Sequence, residues 1–372
     1  MRPRPFLFSV EYNRSRSSSI SPLCRVMPRI FLAQTMKHWQ FFLGLVVSAI
    51  FVWLALRGID LAKAWEAMRT ANYGWLVPAV AVYFVGVWTR AWRWHYLLCP
   101  LKQIPLATMF PIVVIGYMGN NIYPARIGEL LRAYILKRRE GVAVSAGLAT
   151  IFIERVFDGV VMLGFVIFNL PALTAVSGDS GFVGSIEQVA IWGTVAFAAA
   201  LAVFLLAAMF PHQSLGLFHR LVAPLLPARF RQKVVGMVVS FWTGLESLRS
   251  PANIFMVFAT SVVIWLLETV KYWFVMHAFS FTVPFLALML MNGIVNLATT
   301  IPSAPGYVGT FDAPGIAVLR AFGVEGGLAA SYTVVLHVAL WLPITALGLY
   351  YFGRESLSWS NLEMQLAEVR EV

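Results

Sequence analysis

Long apolar runs separated by short polar breaks fill most of this chain, and eight apolar segments can be marked off between residues 38 and 352. A hydrocarbon core of about 30 Å takes roughly 20 helical residues to cross. Residues 38–56 (HWQFFLGLVVSAIFVWLAL) meet that length and predict a first span running outward from a basic tail. Residues 59–71 (IDLAKAWEAMRTA) alternate in the manner of a short amphipathic helix on the outer surface. Residues 73–98 predict the return span, with Arg90, Trp92, Arg93, Trp94 and Tyr96 read as a cationic and aromatic anchor at the membrane interface. Further full spans are predicted at about 143–170, 188–210, 252–280 and 328–352. Residues 211–250 hold Arg220, Arg229, Arg231, Lys233 and Arg249 and predict amphipathic helices on the cytoplasmic side.

Two apolar segments resist assignment as spans. Residues 104–125 lie between Arg90, Arg93 and Lys102 on one side and Arg126, Arg132, Lys137, Arg138 and Arg139 on the other, so both flanks belong in the cytoplasm. Within the segment, Pro111, Gly116, Gly119, Asn120, Asn121 and Pro124 free backbone groups that a helix would have paired. The prediction is a re-entrant hairpin at 104–125, broken at Pro124 and Gly128, with 126–140 as a basic cytoplasmic loop. Residues 285–322 repeat the anomaly, with Pro302, Pro305, Gly306 and Gly309 as the breakers and Arg320 as the nearby cation, which fits an outer-side hairpin.

The predicted fold class follows: an all-α polytopic membrane protein of about six full spans plus two re-entrant helical hairpins. Its halves, 38–170 and 188–352, repeat the same series from opposite faces, as inverted-topology repeats do. A basic segment, 1–37, predicted disordered, precedes the repeat, and a short cytoplasmic tail, 353–372, follows it. Both termini are predicted cytoplasmic, in a bacterial inner membrane.

Composition agrees. The chain is 59% hydrophobic and 12% charged, with mean hydropathy +0.76, which excludes a soluble domain. The net charge of +11 would suit nucleic acid, but no soluble domain is there to bind it. The cations sit between apolar segments, where they set orientation and meet anionic headgroups. Cys24 and Cys99 make no disulfide framework, and the six histidines have no ligand-like spacing, so neither metal nor cofactor is predicted.

Polar groups at membrane depth are the candidates for function. Glu154, Arg155 and Asp158 fall on one helical face, either as a self-neutralising set or as part of a site. Glu268 and Lys271 form an i,i+3 pair, structural or lining a cavity, and His337 alone reads as a packing residue.

The blocks NNIYPARIGELLR at 120–132, ERVFD at 154–158 and NLATTIPSAPGYVGTFD at 296–312 together resemble the lysylphosphatidylglycerol synthase transmembrane-region family, also called flippase-like domain proteins. The similarity spans about 38–352. It implies a membrane domain that moves a phospholipid, aminoacylated in some members, or a lipid-linked headgroup between leaflets. It also implies, as a further partner, a separate lipid-modifying enzyme, since other members are associated with glycosyl transfer. Bifunctional members carry a soluble transferase domain after the membrane part; about twenty residues follow the last span here, so lipid synthesis is not predicted.

For such a substrate Arg126 and Arg132 would hold phosphate through their planar forks. Glu129, Glu154 and Asp158 would receive an amino group or a proton. Asn120, Asn121 and Asn296 would supply neutral hydrogen bonds, and Arg155, Glu268, Lys271, Asp312 and His337 complete the candidate set. Two alternatives stay open: a membrane glycosyl or acyl transferase, for which the first outer loop offers only Asp60 and Glu66, and a non-catalytic partner of a lipid-modifying enzyme.

Overall fold

A computed structural model of the chain describes residues 44–123, 126–177, 198–203, 205–221, 228–301 and 303–354, and the single positions 42, 192, 195 and 196. The predicted tail 1–37, Pro124, Pro302, residues 178–191 and 355–372 therefore lie outside the described residues. Every regular element among the described residues is a helix. In chain order they are α1 Gly44–Leu56, α2 Leu61–Thr70, α3 Leu76–Leu98, α4 Leu106–Ile122, α5 Ile127–Glu140, α6 Val144–Ser177 and α7 Ala198–Met209. They continue with α8 Pro211–Leu221, α9 Ala228–Gly244, α10 Pro251–Met276, α11 Phe285–Ala298, α12 Asp312–Ala321 and α13 Gly326–Arg354.

Three helices are long and apolar enough to cross a membrane: α3 with its leading turn (Tyr73–Leu98, 26 residues), α10 (26 residues) and α13 (29 residues). At 1.5 Å per residue each reaches roughly 39 Å or more, against a core of about 30 Å. The pairs α1–α2 and α7–α8 bend by 86° and 105°, and counting each as one span gives up to five. At 34 residues α6 also has the length, though it carries Glu154, Arg155 and Asp158. The protein is an integral membrane protein.

Local chemistry sets the helix ends. Asp60 accepts the Ala62 amide at 3.0 Å and so caps α2. Ser250 with Pro251 behind it starts α10. Gly141, at φ 73°, ends α5 just after Lys137, Arg138 and Arg139, whose charges suit the negative end of a helix.

The order of elements repeats: bent pair, long helix, hairpin of two shorter helices, long helix. In the first half these are α1–α2, α3, α4–α5 and α6; in the second, α7–α8, α10, α11–α12 and α13, with α9 added. Packing is exchanged between the halves. Helices α3 and α10 lie against each other, α4 packs on α13, and α11 packs on α6.

The first hairpin differs from the sequence-based expectation. Helix α4 runs unbroken through Pro111, Gly116, Asn120 and Asn121, and the break falls at 123–126, where Arg126 takes a left-handed φ of 54°. Residues 126–140 are not a loop, because 127–140 form α5, the returning arm. Gly128, Leu131, Arg132 and Ile135 turn one stripe of α5 inward, and the basic residues between them masked that stripe in the sequence. Gly128 is required by contact: a Cβ there would lie 2.6 Å from the Asn120 amide nitrogen and closer still to the Gly116 carbonyl. The two arms therefore meet backbone to backbone.

The second hairpin follows the expectation closely. Its arms are α11 and α12, and the connection uses positive φ at Gly306, Tyr307 and Gly309. Pro305 starts a short 3₁₀ turn there, and Asp312 accepts the Gly309 amide at 2.8 Å.

Candidate functional site

The breaks of the two hairpins come together. The Arg126 guanidinium donates to the Thr299 carbonyl at 3.2 Å, one of the carbonyls left free at the end of α11, and lies 5.8 Å from the Tyr307 ring centre. The Asn121 amide donates to the Thr345 hydroxyl at 2.8 Å, and the Trp341 indole to the Asn121 carbonyl at 3.4 Å, which ties the first break to α13.

Around this junction lies a cavity enclosing about 810 Å³ of empty space. Helical spacing explains which side chains reach it. On α10, Ser261, Trp265, Glu268 and Tyr272 recur every three or four positions and so share a face, which looks toward Tyr83 and Arg90 of α3. On α13 the same spacing aligns His337, Trp341 and Thr345. Of the residues singled out in the sequence, Asn120, Asn121, Arg126, Arg155, Glu268, Lys271, Asn296, His337 and Gly306 line the cavity. Glu129, Arg132, Glu154, Asp158 and Asp312 stand outside that lining, and Pro124 and Pro302 lie outside the described residues.

The charges fall into two groups. Behind the wall, Arg93 makes a forked pair with Asp158, at 2.5 and 3.2 Å, and donates to the Ser261 hydroxyl at 2.7 Å. Trp265 adds an indole N–H to Asp158 at 2.9 Å. Arg132 donates to Glu154 at 3.0 Å and stacks 4.0 Å above the Trp94 ring, so it is a structural partner rather than a cavity group. The Arg93, Glu154 and Asp158 side chains are at most 1% exposed.

Facing the cavity, the pairing is looser. Arg155 reaches Asp158 at 3.3 Å, Glu129 at 3.7 Å and Glu154 at 3.9 Å, and Arg126 reaches Glu129 at 3.7 Å. Arg155 and Arg126 remain 29% and 27% exposed. Across the cavity Arg90 donates to Glu268 at 2.9 Å, with Trp265 5.1 Å and Tyr117 5.7 Å from its guanidinium. Lys271 pairs with the same carboxylate and sits 4.6 Å from the Tyr83 ring centre. Among the described residues, the buried Nε atoms of Arg90, Arg126 and Arg155 have no hydrogen-bond partner. Four cations, Arg90, Arg126, Arg155 and Lys271, thus meet two carboxylates, Glu129 and Glu268, which leaves two positive charges in excess.

His337 is no simple packing residue. Its Nε2 faces the Gly306 carbonyl at 2.7 Å and must donate to it, while Nδ1 faces Asp312 Oδ1 at 2.9 Å. The second bond exists only if His337 and Asp312 hold a proton between them, as imidazolium with carboxylate or as imidazole with carboxylic acid. Either way the pair is neutral overall.

On the other side of His337 lies an apolar cleft enclosing about 1000 Å³ of empty space. Val52 and Leu56 of α1, Ile316 of α12, and Val334 and Val338 of α13 form its walls. His337 and Trp341 belong to both spaces, so polar cavity and apolar cleft adjoin there.

Sequence reasoning missed Arg90 and Arg93. Assigned to an interfacial belt, they are instead 6% and 0% exposed and hold Glu268 and Asp158. Trp94 of that belt is buried as well, and only Trp92 keeps an exposed ring. A usable signal was present: Asp158, Glu154 and Glu268 outnumber the cations on their own helices, so basic residues from another span had to meet them. Tyr83, Tyr117, Trp265, Tyr307 and Trp341 were also missed, because aromatic residues are ordinary in a membrane helix.

A family model described as "Lysylphosphatidylglycerol synthase TM region" matches residues 41–348. A UPF0104 membrane protein of Methanothermobacter thermautotrophicus is 25% identical over 328 residues, covering 84% of this chain and 92% of that protein. The "Glycosyltransferase AglD" of Haloferax volcanii is 25% identical over 328 residues, covering 82% of this chain and 52% of that protein. The UPF0104 membrane protein MJ1595 of Methanocaldococcus jannaschii is 21% identical over 319 residues, covering 82% and 91%. No solved structure matches.

Proposed function

The chain belongs to the lysylphosphatidylglycerol synthase TM region family, and from that membership we propose that it moves a phospholipid or lipid-linked headgroup between the leaflets of its membrane. One juxtaposition carries the proposal: a charged cavity and an apolar cleft adjoin at His337 and Trp341. A headgroup entering the hydrocarbon core loses its water, at about 2.5–3.5 kcal/mol per charge on insertion scales and more on an isolated helix. Buried arginine, lysine and amide groups replace that water, while the cleft keeps the hydrocarbon chain out of the polar space.

In this account the two hairpins enter from opposite faces as an inverted repeat, with broken ends meeting at the substrate's place. The repeated element order and the exchanged packing of α4 on α13 and α11 on α6 support it. Both termini then face the cytoplasm of a cell's limiting membrane. In a protein with Cys24 and Cys99 replaced by serine, Lys137→Cys at the end of α5 is labelled from the cytoplasmic side; labelling from outside alone would invert the layout.

The transport test is leaflet exchange. Vesicles holding the purified protein exchange at least one fluorescent phospholipid or lipid-linked phosphate faster than protein-free vesicles. Equal rates for every lipid would overturn the proposal. The resemblance to AglD favours a second reading, in which the chain serves transfer of a lipid-linked sugar. Loss of a glycosylated lipid from deletion cells, with no exchange in vesicles, would favour it.

A further inference from the structure

We infer that the headgroup taken by this cavity is a lipid phosphate carrying close to two negative charges and no cationic substituent, such as a phosphate monoester or a diphosphate. This rests on the transport proposal for the place of the site but not for its chemistry. The observation is the charge inventory: Arg90, Arg126, Arg155 and Lys271 surround one space with only Glu129 and Glu268 to balance them. The neutral cluster of Arg93, Arg132, Glu154 and Asp158 behind the wall cannot supply the missing negative charge, since each of its carboxylates is already held by an arginine of the same cluster.

Geometry points the same way. The unpartnered Nε atoms of Arg90, Arg126 and Arg155 are buried donors, and an unmet buried donor is costly. Tetrahedral phosphate oxygens suit several guanidinium forks at once. The Asn120 Oδ1 atom, also unpartnered, accepts a protonated phosphate oxygen or a glycerol hydroxyl. A lysylated or choline-bearing headgroup would instead set its cation among four others, with one carboxylate, Glu268, on the cavity wall itself. The cleft beyond His337 and Trp341 takes the hydrocarbon chain, which separates this ligand from free phosphate.

Trp265 and Trp341 line the cavity, so indole fluorescence reports its occupancy. Purified full-length protein in detergent is titrated with dioctanoyl phosphatidic acid, dioctanoyl phosphatidylcholine, dioctanoyl lysylphosphatidylglycerol and inorganic phosphate. Phosphatidic acid gives a saturable change at a midpoint at least about tenfold below the other three, and Arg126→Gln raises that midpoint by about tenfold while Lys137→Gln, on the exposed end of α5, does not. Equal or tighter binding of lysylphosphatidylglycerol overturns the inference. Inorganic phosphate binding as tightly as the lipid overturns its lipid part. The lipid series on the unaltered protein stands even if Arg126→Gln fails to fold. Binding without leaflet exchange would sink the transport proposal alone, whereas exchange of cationic lipid without phosphatidic acid binding would sink this inference alone.

Discussion

The ion cluster behind the cavity and the one facing it use the same residue types and end in different states. Arg93, Arg132, Glu154 and Asp158 balance in charge, have side chains at most 7% exposed, and hold distances down to 2.5 Å. Arg126, Arg155 and Glu129 are 22–29% exposed, stand 3.7 Å apart as pairs, and belong to a set with two cations to spare. Taking charges out of water is repaid only by close, complete pairing. The first cluster is complete and acts as scaffold, locking α3, α5, α6 and α10 together. The second is incomplete within the protein, which is the condition of a site awaiting an anion.

The largest effect is expected from the closed cluster. Arg93→Met leaves Asp158 with Arg155 and an indole N–H and removes the shortest pair in it, at a cost of about 3–5 kcal/mol. Thermal melting in detergent should show a large fall or loss of the folded fraction, and an unchanged melt would mean that this cluster is not a scaffold. Gly128→Ala comes next. Forcing a Cβ between α5 and the backbone of α4 costs about 1–3 kcal/mol and separates the arms of the first hairpin. It should lower both stability and exchange, whereas Lys137→Ala on the same helix lowers neither.

Much of the frame was legible in the sequence. Asp60 and the apolar stripe behind it announced α2, and the dense glycine and proline of 299–311 announced the second break, because each feature acts within a few residues of itself. The first break was misplaced. Pro111 sits inside α4 without ending it, and the arginines of α5 hid the stripe Gly128, Leu131, Arg132, Ile135. Most of the candidate residues did converge on one space, because ionisable groups buried in a membrane protein have few places to go. Arg90 and Arg93 could not be placed by local pattern: their partners, Glu268 and Asp158, lie 178 and 65 residues away.

A smaller effect separates the two clusters from an ordinary surface charge. The Glu325 carboxylate accepts the Leu328 amide at 3.0 Å at the exposed start of α13, and that bond and a second from Gly327 hold its pKa below the usual carboxylate value of 4.5. A lowered folded pKa stabilises above the unfolded value and is lost as pH falls below it. Glu325→Gln should therefore lower the melting temperature slightly at pH 7 and make no difference near pH 3, with exchange unchanged at neutral pH.

The most direct test compares Arg155→Gln with the unaltered protein in vesicles, at matched folded fraction. Asp158 and Glu154 keep Arg93 and Arg132 as partners, so the loss of stability should stay near about 1 kcal/mol. Leaflet exchange of a lipid phosphate is predicted to fall by about tenfold or more. Exchange at the unaltered rate, with Arg155 gone and the fold intact, would contradict the claim that the unbalanced cluster is where the lipid headgroup binds.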